Sequence, residues 1–179
     1  LQPDYQIEAY EDYALPTMSG QTISQPTTVA FMLELLDVQK GDTVLDIGSG
    51  TGWTSALLAH MVGEGGKVVG LEIRPELVDH SKENLKKYKQ LPVDIRLADN
   101  ETGLYRESPY NRILVSAALP DKDKMALELV FQLAPGGKLV VPIGDTIVQF
   151  ERVNEEEYFE TEYPGFNFVP YVQKLDLEP

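Results

Sequence analysis

Residues 43–52 read TVLDIGSGTG, and this stretch decides the fold of the chain. The apolar run around Asp46 predicts a buried strand, and the three alternating glycines after it predict a tight turn into a helix. Glycine lets the backbone approach a ligand closely, and the first N–H groups of the following helix are free to bind it. The stretch therefore predicts a nucleotide-like ligand. A plain glycine turn between strand and helix is the alternative.

The spacing of the glycines argues against two common nucleotide-binding patterns. A dinucleotide fingerprint would place a glycine at position 53, where the chain has Trp53. A phosphate-binding P-loop would end in Gly-Lys-Ser or Gly-Lys-Thr, which does not occur here. Gly-x-Gly-x-Gly after an acidic strand end is instead typical of S-adenosylmethionine methyltransferases.

Strand-like and helix-like patterns alternate on both sides of this stretch, from about residue 26 to residue 143. Helices are predicted from Ser24 or Gln25 to a stop at Gly41, over 53–62, from Pro75 to about residue 87 and over 121–133. Strands are predicted over 67–71, 93–97, 113–115 and 138–142. Apolar residues after position 144 predict two or three more strands. This order predicts an α/β fold with a mostly parallel sheet covered on both faces and an antiparallel C-terminal edge. Together with the glycine loop that is typical of S-adenosylmethionine methyltransferases, it indicates a three-layer, Rossmann-like methyltransferase sandwich with a seven-stranded sheet.

Acidic residues follow the next two predicted strands, at the edge where ligands bind in such sheets. Glu72 ends one strand and is placed to accept hydrogen bonds from both hydroxyls of a ribose. Asp99 follows the other and is placed to accept a hydrogen bond from an adenine amino group. The alternatives are a solvated charge at Glu72 and a turn-forming Asp-Asn pair at Asp99 and Asn100.

The composition narrows the classes of function. The 29 acidic and 15 basic residues give a net charge of −14, which disfavours binding to a phosphate backbone through a general positive field. The chain has no cysteine, so disulfides and thiolate catalysis are excluded. His60 and His80 lie on predicted helices away from the strand ends, and we expect no metal site. No stretch has the pattern of a signal peptide or a membrane span, and we expect a cytoplasmic protein.

A second motif precedes the first strand. Residues 20–26 read GQTISQP, and the chain also contains AYED at 9–12, LP at 15–16, RILVSAA at 112–118, LAPGGKLVVPIG at 133–144 and FVPY at 168–171. Together with residues 44–52 these segments, in this order, resemble the motifs of protein-L-isoaspartate O-methyltransferases. The resemblance covers nearly the whole chain, and the Gln-Thr-Ile-Ser segment is its most family-specific part.

The resemblance implies transfer of a methyl group from S-adenosyl-L-methionine to the α-carboxylate of isoaspartyl residues in damaged proteins. It implies S-adenosyl-L-homocysteine as the product and no metal. It also implies that Ser24 is the catalytic residue that orients the acceptor carboxylate, and that Thr22 and Ile23 line the same substrate site. The residues that it assigns to the cofactor are Asp46, Gly48, Ser49, Gly50, Glu72, Asp99 and Asn100.

We expect one methyltransferase domain over residues 1–179, with a substrate-side entry segment over 1–25, a cofactor-binding core over 26–143 and C-terminal strands over 144–179. The expected partners are isoaspartyl-containing peptides and proteins, without nucleic acid or membrane, and the chain is expected to be a monomer. Two alternatives stay open. One is a methyltransferase that acts on a small molecule or on RNA, and the net charge disfavours the RNA. The other is a cofactor-binding homologue without repair activity, which would bind the cofactor without turnover.

Overall fold

A computed structural model of the chain describes residues 3–120 and 122–172. Its strands are β1 (Leu15–Pro16), β2 (Thr22–Ile23), β3 (Thr43–Ile47), β4 (Lys67–Glu72), β5 (Val93–Leu97), β6 (Tyr110–Val115), β7 (Leu133–Ile143), β8 (Thr146–Arg152) and β9 (Tyr158–Pro164). Its α-helices are α1 (Pro26–Leu36), α2 (Trp53–Val62), α3 (Pro75–Leu85) and α4 (Leu127–Val130). Short 3-10 helices cover Pro3–Glu8, Met18–Gly20, Lys86–Tyr88 and Tyr105–Glu107, and a π-helical turn covers Lys122–Ala126.

Seven strands form one sheet in the order β5-β4-β3-β6-β7-β8-β9. The five strands from β5 to β7 are parallel, whereas β8 and β9 are added as antiparallel neighbours. The predicted mostly parallel seven-stranded sheet with an antiparallel C-terminal edge is therefore confirmed. Strands β1 and β2 form a separate two-stranded ribbon.

Apolar side chains cover both faces of the sheet, as expected for parallel strands that lie between layers of helices. Val44 faces a buried cluster that contains Met32 and Leu36 of α1 and Leu58 of α2. Its neighbour Leu45 faces the opposite cluster, which contains Leu129 and Val130 of α4. Within the described residues, no helix combines the length and the apolar character that a membrane crossing requires.

The structure differs from the predicted pattern between residues 121 and 143. The helix predicted over 121–133 is a π-helical turn followed by the four-residue α4, and its predicted first residue, Asp121, lies outside the described residues. Leu133 is not on the helix but begins β7, where it pairs with Tyr110 of β6. Strand β7 therefore begins before Pro135-Gly136-Gly137, which was predicted as a turn and forms an irregular stretch within the strand, with Gly136 at a φ of +76°. The register shift opposite Tyr110 and Arg112 accommodates the extra residues.

The parallel strands bring their carboxyl ends to one edge of the sheet. Ile47, Glu72 and Val115 are the last residues of three adjacent strands, β3, β4 and β6. Ligands in open α/β sheets bind outside this edge. The first helix begins at Pro26 with Gln25 as its N-cap residue, so Ser24 lies outside the helix, in the connection from β2.

Candidate active site

A cleft lies at the carboxyl edge of the sheet and contains about 950 Å³ of space between atoms, part of it open to solvent. The lining residues come from six segments of the chain, and those used below are Thr22, Ile23, Ser24, Gly48, Ser49, Gly50, Glu72, Arg74, Ala98 and Tyr171. Most of the remaining lining is apolar, including Val29, Leu71 and Leu77.

The glycine loop forms one wall of the cleft. Gly48, Gly50 and Gly52 have φ values of +79°, +53° and +85°, a conformation that side chains with a Cβ adopt only at a cost. A Cβ at Gly50 would have no neighbour nearer than 3.9 Å, whereas a Cβ at Gly52 would lie 3.1 Å from the Cβ of Ser81 on α3. Gly50 therefore leaves space open at the ligand side, and Gly52 allows the loop to pack against a helix.

Glu72 links the glycine loop to the start of α3. Its side chain is only 6% exposed, and one carboxylate oxygen accepts a hydrogen bond from the Gly50 N–H at 2.9 Å. The other oxygen accepts from the N–H groups of Ile73 at 2.8 Å and Arg74 at 3.0 Å. The carboxylate therefore connects the glycine loop to the start of α3. It remains at the surface of the cleft, where Oε2 has one acceptor site left for a ligand hydroxyl.

Asp46 lies behind the loop and is fully buried. Its Oδ2 accepts hydrogen bonds from the hydroxyls of Thr54 at 2.8 Å and Ser55 at 2.5 Å, which attach the first turn of α2 to β3. Burial raises the pKa of this carboxyl to about 6, against the lowering effect of the two hydroxyls. Within residues 3–120 and 122–172, neither Asp46 Oδ1 nor the buried Ser49 Oγ has a hydrogen-bond partner.

The entry segment forms a second wall. Thr22 and Ile23 form β2, and Ser24 follows directly, half-buried and facing the cleft. The N-cap position of α1 belongs to Gln25, so capping does not explain Ser24. In the described part of the chain, the Ser24 hydroxyl has no hydrogen-bond partner in the protein and is available to a ligand.

Asp99 and Asn100 do not reach this cleft. The backbone at Ala98 lines it, but Asp99 and Asn100 are exposed, and Asp99 Oδ1 accepts a hydrogen bond from the Glu101 N–H at 2.9 Å. Asn100 lines a neighbouring depression with Tyr105. The local bond is the turn chemistry that was the alternative for this pair. Their assignment to the adenine stays a prediction that the geometry does not favour.

The structure thus brings together seven of the predicted site residues in one cleft: Thr22, Ile23, Ser24, Gly48, Ser49, Gly50 and Glu72. Asp46 supports the loop from behind. Sequence reasoning did not assign several polar residues of the lining to the site, among them Arg74 and Tyr171. Arg74 follows Glu72 by two residues, so its position after a strand could have indicated it. Among the described residues, no group of three or more His, Cys, Asp or Glu side chains is arranged to hold a metal ion.

Sequence comparisons relate the chain to known proteins. The sequence pattern of the family described as protein-L-isoaspartate(D-aspartate) O-methyltransferase matches residues 1–176. The protein-L-isoaspartate O-methyltransferase of Aeropyrum pernix is 47% identical over 156 residues, which are 86% of this chain and 58% of that protein. That of Methanopyrus kandleri is 41% identical over 175 residues, 94% of this chain and 76% of that protein.

Solved structures show the same architecture. One protein-L-isoaspartate O-methyltransferase superposes with a TM-score of 0.84 at 26% identity, covering 98% of this chain and 57% of that one. A Plasmodium falciparum structure is described as a beta-aspartate methyltransferase in complex with S-adenosyl-L-homocysteine. It superposes with a TM-score of 0.78 at 26% identity, covering 92% of this chain and 82% of that one. The chain thus spans little more than half of some relatives. By the match over residues 1–176 and these identities, it belongs to the protein-L-isoaspartate O-methyltransferase family.

Proposed function

We propose that this chain is an S-adenosylmethionine-dependent methyltransferase that methylates the α-carboxylate of isoaspartyl residues. The observation that carries the proposal is a single cleft with two different walls. The loop of Gly48 and Gly50 with Glu72 is suited to a nucleoside, and Thr22 to Ser24 lie on the entry segment. We also propose isoaspartyl-containing peptides and proteins as its partners and the cytoplasm as its location, and a monomeric state stays a prediction.

The residues of the cleft fit S-adenosylmethionine. The open space beside Gly50 permits close approach of a ligand to the backbone. Ser49 lines the cleft, and its buried hydroxyl has no partner among the described residues. Glu72 Oε2 has the acceptor capacity for a ribose hydroxyl. When bound, this cofactor would supply a methyl group on a positively charged sulfur.

The protein's contribution to the transfer is to orient the acceptor and to exclude water. The acceptor carboxylate is ionised at neutral pH, so the site needs no strong base. A carboxylate loses its negative charge as the ester forms, and a weakly polar surrounding favours that change because it disfavours separated charges. Val29, Leu71 and Leu77 provide such a surrounding. Ser24 is suited to donate a hydrogen bond to the acceptor and hold it in line.

The direct test measures transfer of labelled methyl groups to an isoaspartyl peptide and to its normal aspartyl twin. We expect labelling of the isoaspartyl peptide alone. Equal labelling of both peptides would contradict the proposed specificity. Binding of S-adenosyl-L-homocysteine without any transfer would favour a homologue that has lost its activity.

Ser24→Ala tests the acceptor side of the cleft. We expect kcat/KM for the isoaspartyl peptide to fall on the order of a hundredfold, because small displacements of reacting groups carry costs of this size. The affinity for S-adenosyl-L-homocysteine and the melting temperature should change little, since Ser24 does not cap α1. Ser108→Ala is the matched control, a half-buried serine outside the cleft. Full activity of Ser24→Ala would remove Ser24 from the catalytic residues.

A further inference from the structure

The segment after β9 crosses the carboxyl edge of the sheet and forms a third wall of the cleft. It is attached to the chain just beyond β6 by two backbone hydrogen bonds of 2.8 Å: the Ala118 N–H donates to the Val169 carbonyl, and the Tyr171 N–H donates to the Ala118 carbonyl. Pro170 and Ala118 form an isolated parallel bridge between these bonds. Residues 169–172 all line the cleft, so this segment is fixed against it by the backbone.

Aromatic packing ties the same segment to the helix that follows Ser24. The ring of Phe166 stacks on Phe31 of α1, with centroids 5.6 Å apart and planes 11° from parallel. Phe31 also meets Tyr163 of β9 edge to face, and Phe166 contacts Phe168. Such ring pairs have preferred geometries and restrict relative movement. The position of the third wall is therefore coupled to α1 and, through it, to Ser24.

Tyr171 presents the polar group of this wall. Its ring is half-buried and packs against the buried cluster that contains Leu45. Within the described residues, its hydroxyl has no hydrogen-bond partner, although Tyr171 lines the cleft. Burial raises the pKa of this phenol, so the hydroxyl stays protonated and remains a donor at neutral pH. A half-buried donor without a protein partner is suited to a ligand acceptor.

The charges around the cleft restrict what that acceptor is. Among the described lining residues, the charged side chains are Glu72 and Arg74, and both lie at the end of β4. The wall of Ser24 and the wall of Tyr171 offer neutral donors only. Neutral hydrogen bonds orient a carboxylate without pairing its charge with a cation, which would lower its nucleophilicity.

We propose that Tyr171 is a substrate-positioning residue whose hydroxyl donates a hydrogen bond to the acceptor carboxylate, across the cleft from Ser24. The proposal rests on the methyl transfer proposed above. The step forms a bond between one carboxylate oxygen and the methyl carbon and breaks the carbon–sulfur bond, whose electron pair stays on sulfur; no proton moves. Tyr171 binds the oxygen that does not attack, and this leaves the other oxygen free to align with the methyl group.

Tyr171→Phe is the test, because it removes the hydroxyl and keeps the ring that packs against the core. We expect kcat/KM for an isoaspartyl peptide to fall about 10- to 100-fold, as for loss of a hydrogen bond to a charged group. The Kd for S-adenosyl-L-homocysteine should stay within twofold of the wild-type value. Tyr163→Phe is the matched control, since this tyrosine is also half-buried but lies outside the cleft.

The outcomes separate the possible roles. A lower melting temperature with unchanged kcat/KM would make Tyr171 merely structural and overturn the proposal. A weaker Kd for S-adenosyl-L-homocysteine with unchanged peptide KM would assign the hydroxyl to the cofactor and overturn it as well. A wild-type protein that does not methylate the peptide would overturn the proposed function and, with it, this role. An active wild type with a fully active Tyr171→Phe variant would overturn the role of Tyr171 alone.

Discussion

Replacement of Glu72 should affect the cofactor site in two separable ways, because its carboxylate already has three backbone donors before any ligand binds. The bond from the Gly50 N–H joins segments 22 residues apart in sequence. The bonds from Ile73 and Arg74 are local and arrange the start of α3. In Glu72→Ala all three bonds are lost, and the Gly50 bond alone corresponds to about 1.5–3 kcal/mol of stability for a hydrogen bond to a charged group.

Ligand affinity should fall in addition to stability. A ribose whose hydroxyls donate to Glu72 loses a charged acceptor in Glu72→Ala, which costs about 1–3 kcal/mol, or about 5- to 150-fold in Kd. Glu72→Gln refines the test. Its amide oxygen can keep the Ile73 and Arg74 donors only if the amide NH₂ faces the Gly50 N–H, and two donors then oppose each other. Glutamine should therefore loosen the glycine loop while leaving the start of α3 in place.

The assay is calorimetric titration of S-adenosyl-L-homocysteine beside a thermal melt of each variant. Glu155→Gln, in the exposed connection between β8 and β9, controls for the change in net charge. An unchanged Kd in folded Glu72→Ala would refute the assignment of Glu72 to the ribose. Reduced melting temperatures without reduced affinity would show that the carboxylate serves only the loop.

Two further variants address the loop itself. Gly50→Val should weaken cofactor binding strongly, because its Cβ enters the open side of the loop. Gly144→Val is the control, since it carries a similar backbone strain of about 1–2 kcal/mol at φ +60° but lies outside the cleft. Equal cofactor affinities in the two folded variants would contradict the close approach of the ligand to Gly50. Asp46→Asn should remove a pH dependence of the protein's stability. A carboxyl whose pKa rises from 3.8 to about 6 on folding destabilises the folded state by on the order of 3 kcal/mol once it is ionised. The wild type should therefore lose stability relative to Asp46→Asn as pH rises from about 4 to about 6, and parallel melting curves of the ligand-free proteins across that window would contradict the effect of burial.

The parallel part of the sheet was predictable because its strands and helices carry strong local patterns. The helix of residues 53–62 was predicted with the bounds that α2 has in the structure, and Pro75 opens α3 as its fixed φ favours. The segment around Leu133 was not predictable in the same way. Its apolar spacing continues the helical pattern, yet Leu133 pairs with Tyr110, 23 positions earlier. A non-local pairing overrode a local preference, and no window around Leu133 contains that information.

The residues of the site also differ in whether a local sequence pattern or a non-local contact determines their position. The glycine loop and Glu72 were found because each follows directly from a strand, and a parallel sheet gathers such ends at one edge. Ser24 was indicated by a sequence motif, and the structure shows that it is not the N-cap residue of α1, because Gln25 occupies that position. Tyr171 required the path of the chain after β9, which depends on the contacts of Phe31 and Phe166 across more than a hundred residues. Residues placed by such contacts leave no periodic signal in the sequence.

Asp99 shows where reasoning from strand ends stops being valid. Glu72 is the last residue of β4 and pairs with Leu97, so the pleat of the sheet directs its side chain. Asp99 lies two residues beyond Leu97, outside the ladder, and its carboxylate is bound by the Glu101 N–H in a local turn. An acidic residue at a strand end is therefore oriented by its neighbouring strands, whereas one in the following loop is oriented by its own backbone. The distance of two residues is small in the sequence, but it changes which force determines where the carboxylate points.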